Sequence, residues 1–345
     1  MKLPFFNRRD FLKFAGAATL PGLPAWAQAG SNAAAALDAA RAEGKATFFA
    51  NITAVQPIMD AFHKATGIQG EYTRIASSKF IPTLLTEAAA GKLSADVVQA
   101  PLPMLEILKA QGILAPYRSP AAQGYPDWAT QDDHITLFGV EYVSYLYNTE
   151  HVQAADAPRT YQDLADPKWR DQIVMANPAN HASTISWLVG LKEQQVFASE
   201  DDWMGFIKAL AANKPMFVAS FGPTPAPIES GEKRIAISMP KYIVTKSPAP
   251  LAWGPKSGPL LGSARAIAVT AQAPRPAAAR ALVDYWLSRQ AMSLLARDVG
   301  EYVLAPGVYP PIPGIDEVRV KVVRDLPDDE MQRWGREFSR LFGPR

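Results

Sequence analysis

The chain has 345 residues, 48% of them apolar, enough for a sizeable core without metals or disulfides. It has no cysteine, which excludes a disulfide framework, thiolate nucleophiles and cysteine-ligated metal clusters. The formal net charge is +2, but residues 1–27 hold Lys2, Arg8, Arg9 and Lys13 against Asp10, a net of +3, so the remainder carries about −1. The basicity therefore belongs to the N-terminus. No basic stripe is left to suggest nucleic acid as a partner.

The first residues read as a leader. A basic segment ends in Arg8-Arg9-Asp10-Phe11-Leu12-Lys13, an apolar stretch runs from Phe14 to about Leu23, and Ala25-Trp26-Ala27 places small residues where a signal peptidase cuts. The paired arginines followed by Phe-Leu-Lys look like a twin-arginine export motif, so a periplasmic protein cleaved near Ala27 is expected. The apolar stretch is too short to span a bilayer, and no later stretch is long and apolar enough.

After an alanine-rich lead-in at 28–43, the chain alternates strands and helices. Strands are expected at 46–50, 70–75 and 95–99. Between them, Val55, Ile58, Met59 and Phe62 mark a helix stopped at Thr66-Gly67, and Ser77 and Ser78 are placed as caps of a second helix. A third helix is expected at Leu105–Ala110. This order argues for an α/β domain on a parallel sheet. Thr136–Tyr147 is long, aromatic and β-branched, suited to a strand crossing between two domains. Beyond it come a strand at 173–176, a helix at 183–196 opened by Ser183 and Thr184, and a short helix with Thr224 as N-cap and Pro225 at its first position. A strand at 234–238, a proline- and glycine-rich loop at 247–262 and a strand at 264–270 follow. One long helix is expected at 277–299. The last helix, about 328–342, has acids at its start and arginines late, matching the helix dipole.

Several motifs, in order and at consistent spacing, resemble the family 1 extracellular solute-binding proteins of ABC transporters, in particular the branch holding ferric-ion-binding and related small-ligand proteins. They are Phe62-His63-Lys64-Ala65-Thr66-Gly67-Ile68, Ala95-Asp96-Val97-Val98, Gly112-Ile113-Leu114-Ala115-Pro116-Tyr117, Tyr147-Asn148-Thr149, Thr160-Tyr161-Gln162-Asp163-Leu164 through Trp169, and Gly231-Glu232 before Ile235-Ala236-Ile237. The resemblance implies a type II periplasmic-binding fold: two α/β domains joined by crossover hinge strands, with the ligand between them. The expected division is 28–139 plus 262–305, then 140–261, with 306–345 packing on both. The expected partners are a small-molecule ligand and a membrane permease, the protein acting as a monomer with no cofactor.

In such folds ligands sit beyond the carboxyl ends of strands, where helices begin. The candidates are Asn51, Thr53, Ser77 and Ser78 in the first domain. Tyr142 lies on the crossing strand, and Asn180, His181, Ser183, Thr184, Ser220, Thr224 and Tyr242 are in the second domain. At the places where ferric-binding relatives carry a histidine, a glutamate and two tyrosines, this chain has Thr53-Ala54, Pro101 and Lys241-Tyr242, a poor set of hard anionic donors. No resident metal is expected, and Lys241 points to an organic or phosphorus oxyanion. Glu141 would suit an amine and Trp253 a sugar ring. The alternatives are iron capture, a periplasmic ligand sensor and, last, an exported hydrolase. No nucleophile elbow, zinc-protease motif or phosphate loop is present, so catalysis is not expected.

Overall fold

The computed structural model describes residues 31–343 apart from 54, 131 and 325. The leader, with Arg8-Arg9 and the cleavage site near Ala27, lies outside the described residues. The chain begins with α1 (Ser31–Glu43), β1 (Lys45–Ala50), α2 (Gln56–Thr66), β2 (Gln69–Arg74), α3 (Ser77–Ala89), β3 (Val97–Pro101) and α4 (Leu102–Ala110). The crossing strand β4 (Thr136–Asn148) comes next. It is followed by β5 (Ile173–Ala176), α5 (Ala182–Glu193), α6 (Glu200–Ala212), β6 (Met216–Val218), α7 (Pro225–Glu229), β7 (Ile235–Ser238), α8 (Tyr242–Thr245) and β8 (Leu251–Gly254). The remainder is β9 (Leu260–Val269), α9 (Pro276–Leu287), α10 (Arg289–Val299), β10 (Tyr302–Val303), β11 (Val320–Val322) and α11 (Asp328–Phe342).

The strands form one continuous mixed sheet in the order β2-β1-β3-β9-β4-β7-β5-β6. Strand β4 divides it. Residues 136–143 pair with β9, whereas 144–148 pair with β7 and β8. Parallel strands β1, β2 and β3 lie on one side of this division, and parallel β5, β6 and β7 on the other.

Two buried clusters make the core, the larger centred on the first side but reaching across β4 to Val174, Ile228, Ala236 and Trp253. In the first unit Trp286 packs on Phe48 and Phe138, with ring centroids 4.9 and 5.5 Å away. In the second, Trp187, Trp203 and Phe206 are buried, and α11 adds Phe338 and sets Trp334 edge-on against Trp203 at 5.4 Å. The C-terminal helix thus completes the second core. Its acid-first order and apolar face are as the sequence predicts.

The family motifs prove to be structural fasteners. Buried Asp96 accepts from the backbone N–H groups of Thr47 (2.7 Å) and Arg275 (2.9 Å) and pairs with the Arg275 guanidinium, tying β1 and β3 to the start of α9. Gly67 closes α2 at φ 79°, and Thr66 Oγ1 donates to the Phe62 carbonyl. Asn148 ends β4 by donating to the Ile228 carbonyl and accepting from Glu150 N.

Five sequence expectations are corrected. The long helix at 277–299 is two helices. Ser288 takes an extended conformation (ψ 151°), and its hydroxyl caps α10 by accepting from Ala291 N. The N-cap of α3 is Ala76, so Ser77 and Ser78 are its first helical residues. The N-cap of α5 is His181, which places Ser183 and Thr184 inside the first turn. The 247–262 loop contains β8 and the start of β9, where apolar runs are shortened by Pro and Gly below a legible strand pattern. Trp253 is 3% exposed and donates to the Pro313 carbonyl at 3.0 Å, so it is a core residue rather than a stacking platform.

Candidate functional site

The register places the carboxyl ends of strands from both units against one junction. Ala50 lies opposite Gln99, Pro101 opposite Arg265, Arg265 opposite Gly139, and Ser263 opposite Glu141. From the other side Ser144 of β4 lies opposite Ser238, so the residues following β7 run back alongside Tyr142 and Glu141. The turns after β5, β6 and β7 meet beside Glu141 of β4, and the turn after β1 lies at the end of β3, where Ile52 N donates to Gln99. They carry Asn51 to Thr53, Asn180-His181, Ser220-Phe221 and Lys241-Tyr242.

Along β4 every residue is buried except Glu141, which is partly exposed. It belongs to a four-charge network. Arg265, buried on β9, donates from Nε to Glu301 Oε2 at 3.0 Å and from Nη2 to Glu301 Oε1 at 3.2 Å. Arg265 Nη2 also lies 3.0 Å from Glu141 Oε2, and Lys241 Nζ is 3.1 Å from Glu301 Oε1. Burial pushes the Glu301 carboxyl up, but Arg265 and Lys241 more than offset this and hold it below the ordinary glutamate range. Lys241 comes from the second unit and Glu301 from the first, so their pair spans the junction. Gly300 permits this approach: it caps α10 at φ 72°, and a Cβ there would lie 2.8 Å from the Lys241 carbonyl oxygen.

The facing wall is neutral. His181 stands edge-on to Phe221 with ring centroids 4.8 Å apart, and its Nδ1 shares a hydrogen bond with Thr184 Oγ1 at 2.9 Å. Burial lowers the imidazole pKa, which Glu141 only partly offsets, so the ring is uncharged at neutral pH. Burial, then Glu141 and Glu301, push the Tyr242 hydroxyl well above its ordinary value, so it stays protonated. Its oxygen and that of Ser220 both flank Gly222, where a Cβ would lie 4.0 and 3.8 Å from them.

The candidates divide by what their side chains do. Thr53, Asn180 and Ser220 are exposed, and Asn51, His181, Ser183 and Tyr242 partly so, at the strand ends. Ser77 and Ser78 start α3, which follows β2. Three others are committed to structure. Tyr142 is 2% exposed and donates to the Gly300 carbonyl at 3.2 Å. Thr184 is buried against His181. Thr224 is the N-cap residue of α7, as the sequence predicts, but its side chain makes no cap hydrogen bond: the buried hydroxyl donates to the Phe221 carbonyl at 2.6 Å and shares a hydrogen bond with Ser238 Oγ. Thr224→Val is expected to cost about 1–2 kcal/mol, seen as a lower urea midpoint, because two buried groups lose their partner. Lys241 is also spent, on Glu301, which removes the lysine that the sequence assigned to an oxyanion. Arg265 and Glu301 escaped the sequence reading. A lone arginine inside the apolar run Leu260–Val269 is the signal that marks such a buried pair.

A buried donor lies beside the β1 turn. Gln99 is fully buried and accepts from Ile52 N through Oε1 at 3.1 Å, and its Nε2 has no hydrogen-bond partner among the described residues. Among those residues there is no group of three or more His, Asp or Glu placed to hold a metal ion.

Two α/β units sharing crossover strands, with strand ends converging on the junction, define a type II periplasmic-binding fold. Solved structures show the same arrangement. A substrate-binding protein of an ABC transporter from Agrobacterium tumefaciens aligns with a TM-score of 0.71 at 14% identity, covering 88% of this chain and 97% of that one. Iron-bound HitA from Pseudomonas aeruginosa aligns at 0.68 and 18% identity, covering 85% and 99%. The chain belongs to the bacterial extracellular solute-binding protein family, which matches residues 57–318. A putative 2-aminoethylphosphonate-binding periplasmic protein of Salmonella paratyphi A is 28% identical over 177 residues, 51% of this chain. The major ferric iron-binding protein of Neisseria meningitidis is 26% identical over 160 residues, 41% of this chain and 47% of its own length. The match to the Salmonella protein spans 50% of that relative's length, so about half of it is covered.

Proposed function

We propose that this protein captures one small solute bearing an organic or phosphorus oxyanion between its two units and delivers it to an ABC-transporter permease, without catalysing a reaction on it. The carrying observation is that strand ends of both units face a junction spanned by β4 and β9, with the chain crossing back through β11 to α11. Closure would take place about those strands, bringing 28–139 plus 262–305 against 140–261, with 306–345 packing on them. The N-terminal turns of α3 and α5 offer backbone N–H groups, and Asn51, Thr53, Ser77, Ser78, Asn180, His181, Ser183, Ser220 and Tyr242 are the proposed contacts. Export by the twin-arginine route with cleavage near Ala27, and action as a monomer, complete the reading; Arg8-Arg9 and the apolar stretch behind them support the export step.

A phosphorus oxyanion is favoured over ferric iron as cargo. Tyr242 is the one tyrosine at the positions where ferric-binding relatives carry ligands, and its surroundings oppose the phenolate that iron requires. The test is thermal-shift screening of the purified protein against phosphonates, carboxylates, sugars and polyamines. A bound oxyanion at a hundredfold its Kd adds about 2.7 kcal/mol and raises Tm by a few degrees. Absence of a shift with every compound, or a coloured tyrosinate–iron complex in the purified protein, would sink the proposal.

A further inference from the structure

The four charges at the junction are unequally placed. Glu301 is 2% exposed and is matched by two cations, Arg265 and Lys241. Arg265 is 6% exposed, with both carboxylates on it. Lys241 is 15% exposed and turned to Glu301. Glu141 is the most open at 23%, and Arg265 Nη2 lies 3.0 Å from its Oε2. A carboxylate has about four acceptor positions, so most of its capacity is unused by that contact. The wall that faces it consists of an imidazole, a phenol and a serine hydroxyl, none of which brings a positive charge. The four charges sum to zero, but the one most open to the junction is a carboxylate, and backbone donors for an anion lie at the strand ends around it.

We infer that the captured solute is a small zwitterion, and that Glu141 selects it by accepting hydrogen bonds from its ammonium group while the oxyanion lies at the strand ends. This rests on the capture of an oxyanion proposed above. A simple anion entering the junction meets a carboxylate whose one cation, Arg265, is shared with Glu301. An ammonium group two or three bonds from the oxyanion turns the same charge into an attractive, charge-assisted contact. Tyr242 Oη and neutral His181 are able to accept further ammonium protons, and their rings add apolar walls.

The test is isothermal titration calorimetry with 2-aminoethylphosphonate and ethylphosphonate, and with β-alanine and propionate as the carboxylate counterparts, on the wild type and on Glu141→Gln. The wild type is expected to bind the amino compound of one pair roughly tenfold to a hundredfold more tightly than its amine-free counterpart, the range for a charged hydrogen bond. Glu141→Gln is expected to weaken the amino compound and to strengthen the simple anion, so the two affinities converge. A folding defect would weaken both, so opposite movement separates selection from damage. Glu141→Asp, which keeps the charge, should retain the preference. Equal binding of both members of a pair by the wild type overturns the inference and leaves oxyanion capture standing. An unchanged preference in Glu141→Gln also overturns it. If none of the four compounds binds, oxyanion capture itself fails and the selection falls with it.

Discussion

Arg265→Met is expected to cost about 3–5 kcal/mol in unfolding free energy, measured by urea denaturation at pH 7. The substitution fills similar volume but leaves buried Glu301 with only Lys241, and Glu141 with no cation. The pH dependence carries the diagnosis. In the wild type the folded-state pKa of Glu301 is depressed, so its contribution is present above the unfolded glutamate pKa and lost as pH falls through the folded one. Without Arg265 only Lys241 opposes the effect of burial, so the depression is smaller. The variant therefore has less stability to lose on acidification than the wild type. The stability gap between the two proteins should narrow as pH falls from 7 toward 5. A gap that is constant with pH would show that Arg265 acts through packing alone.

Gly262→Ala should be nearly as damaging, at about 3 kcal/mol, the upper part of the range for overpacking. Gly262 is on β9 opposite Tyr142, where the two crossover strands touch. A Cβ there would lie 2.3 Å from the Glu141 carbonyl oxygen and 2.6 Å from Tyr142 Cα, both backbone atoms that cannot swing aside. Separating the strands displaces Glu141 and the Tyr142–Gly300 contact together, so ligand affinity should fall along with stability. Gly205→Ala is the control. Gly205 lies within α6 with nothing within 4 Å of its Cβ position, and alanine there should stabilise by up to about 1 kcal/mol. Equal effects of the two substitutions in urea titrations would remove the steric argument.

The outline of the fold was legible because its elements announce themselves locally. Helix α2 has apolar residues at helical spacing and a glycine stop, and β4 is a run of β-branched and aromatic residues. Helix α11, expected at about 328–342, is legible from its charge order and its apolar face. Elements without a local signature were lost. Strand β6 has three residues and β8 four, too few to display a period, and both lie near prolines. Helix α6 is capped by Ser199, whose hydroxyl accepts from Asp202 N, a signal that stands in the sequence immediately before the acids of the first turn. The division of α9 from α10 turns on one extended serine inside an otherwise helical pattern.

The sequence alone determined the alternation of strands and helices, the crossing strand, the family and the places where turns follow strands. Each of these rests on residues near one another in the chain. Tertiary structure decided which of those turn residues remain open. It turned Tyr142 and Thr224 inward and tied Lys241 to Glu301. It also joined Glu141 to Arg265, 124 positions away in the numbering, while leaving Glu141 partly exposed. Periodicity cannot report such pairs, because a charge is matched or left open by partners that only the folded sheet brings within 3 to 4 Å.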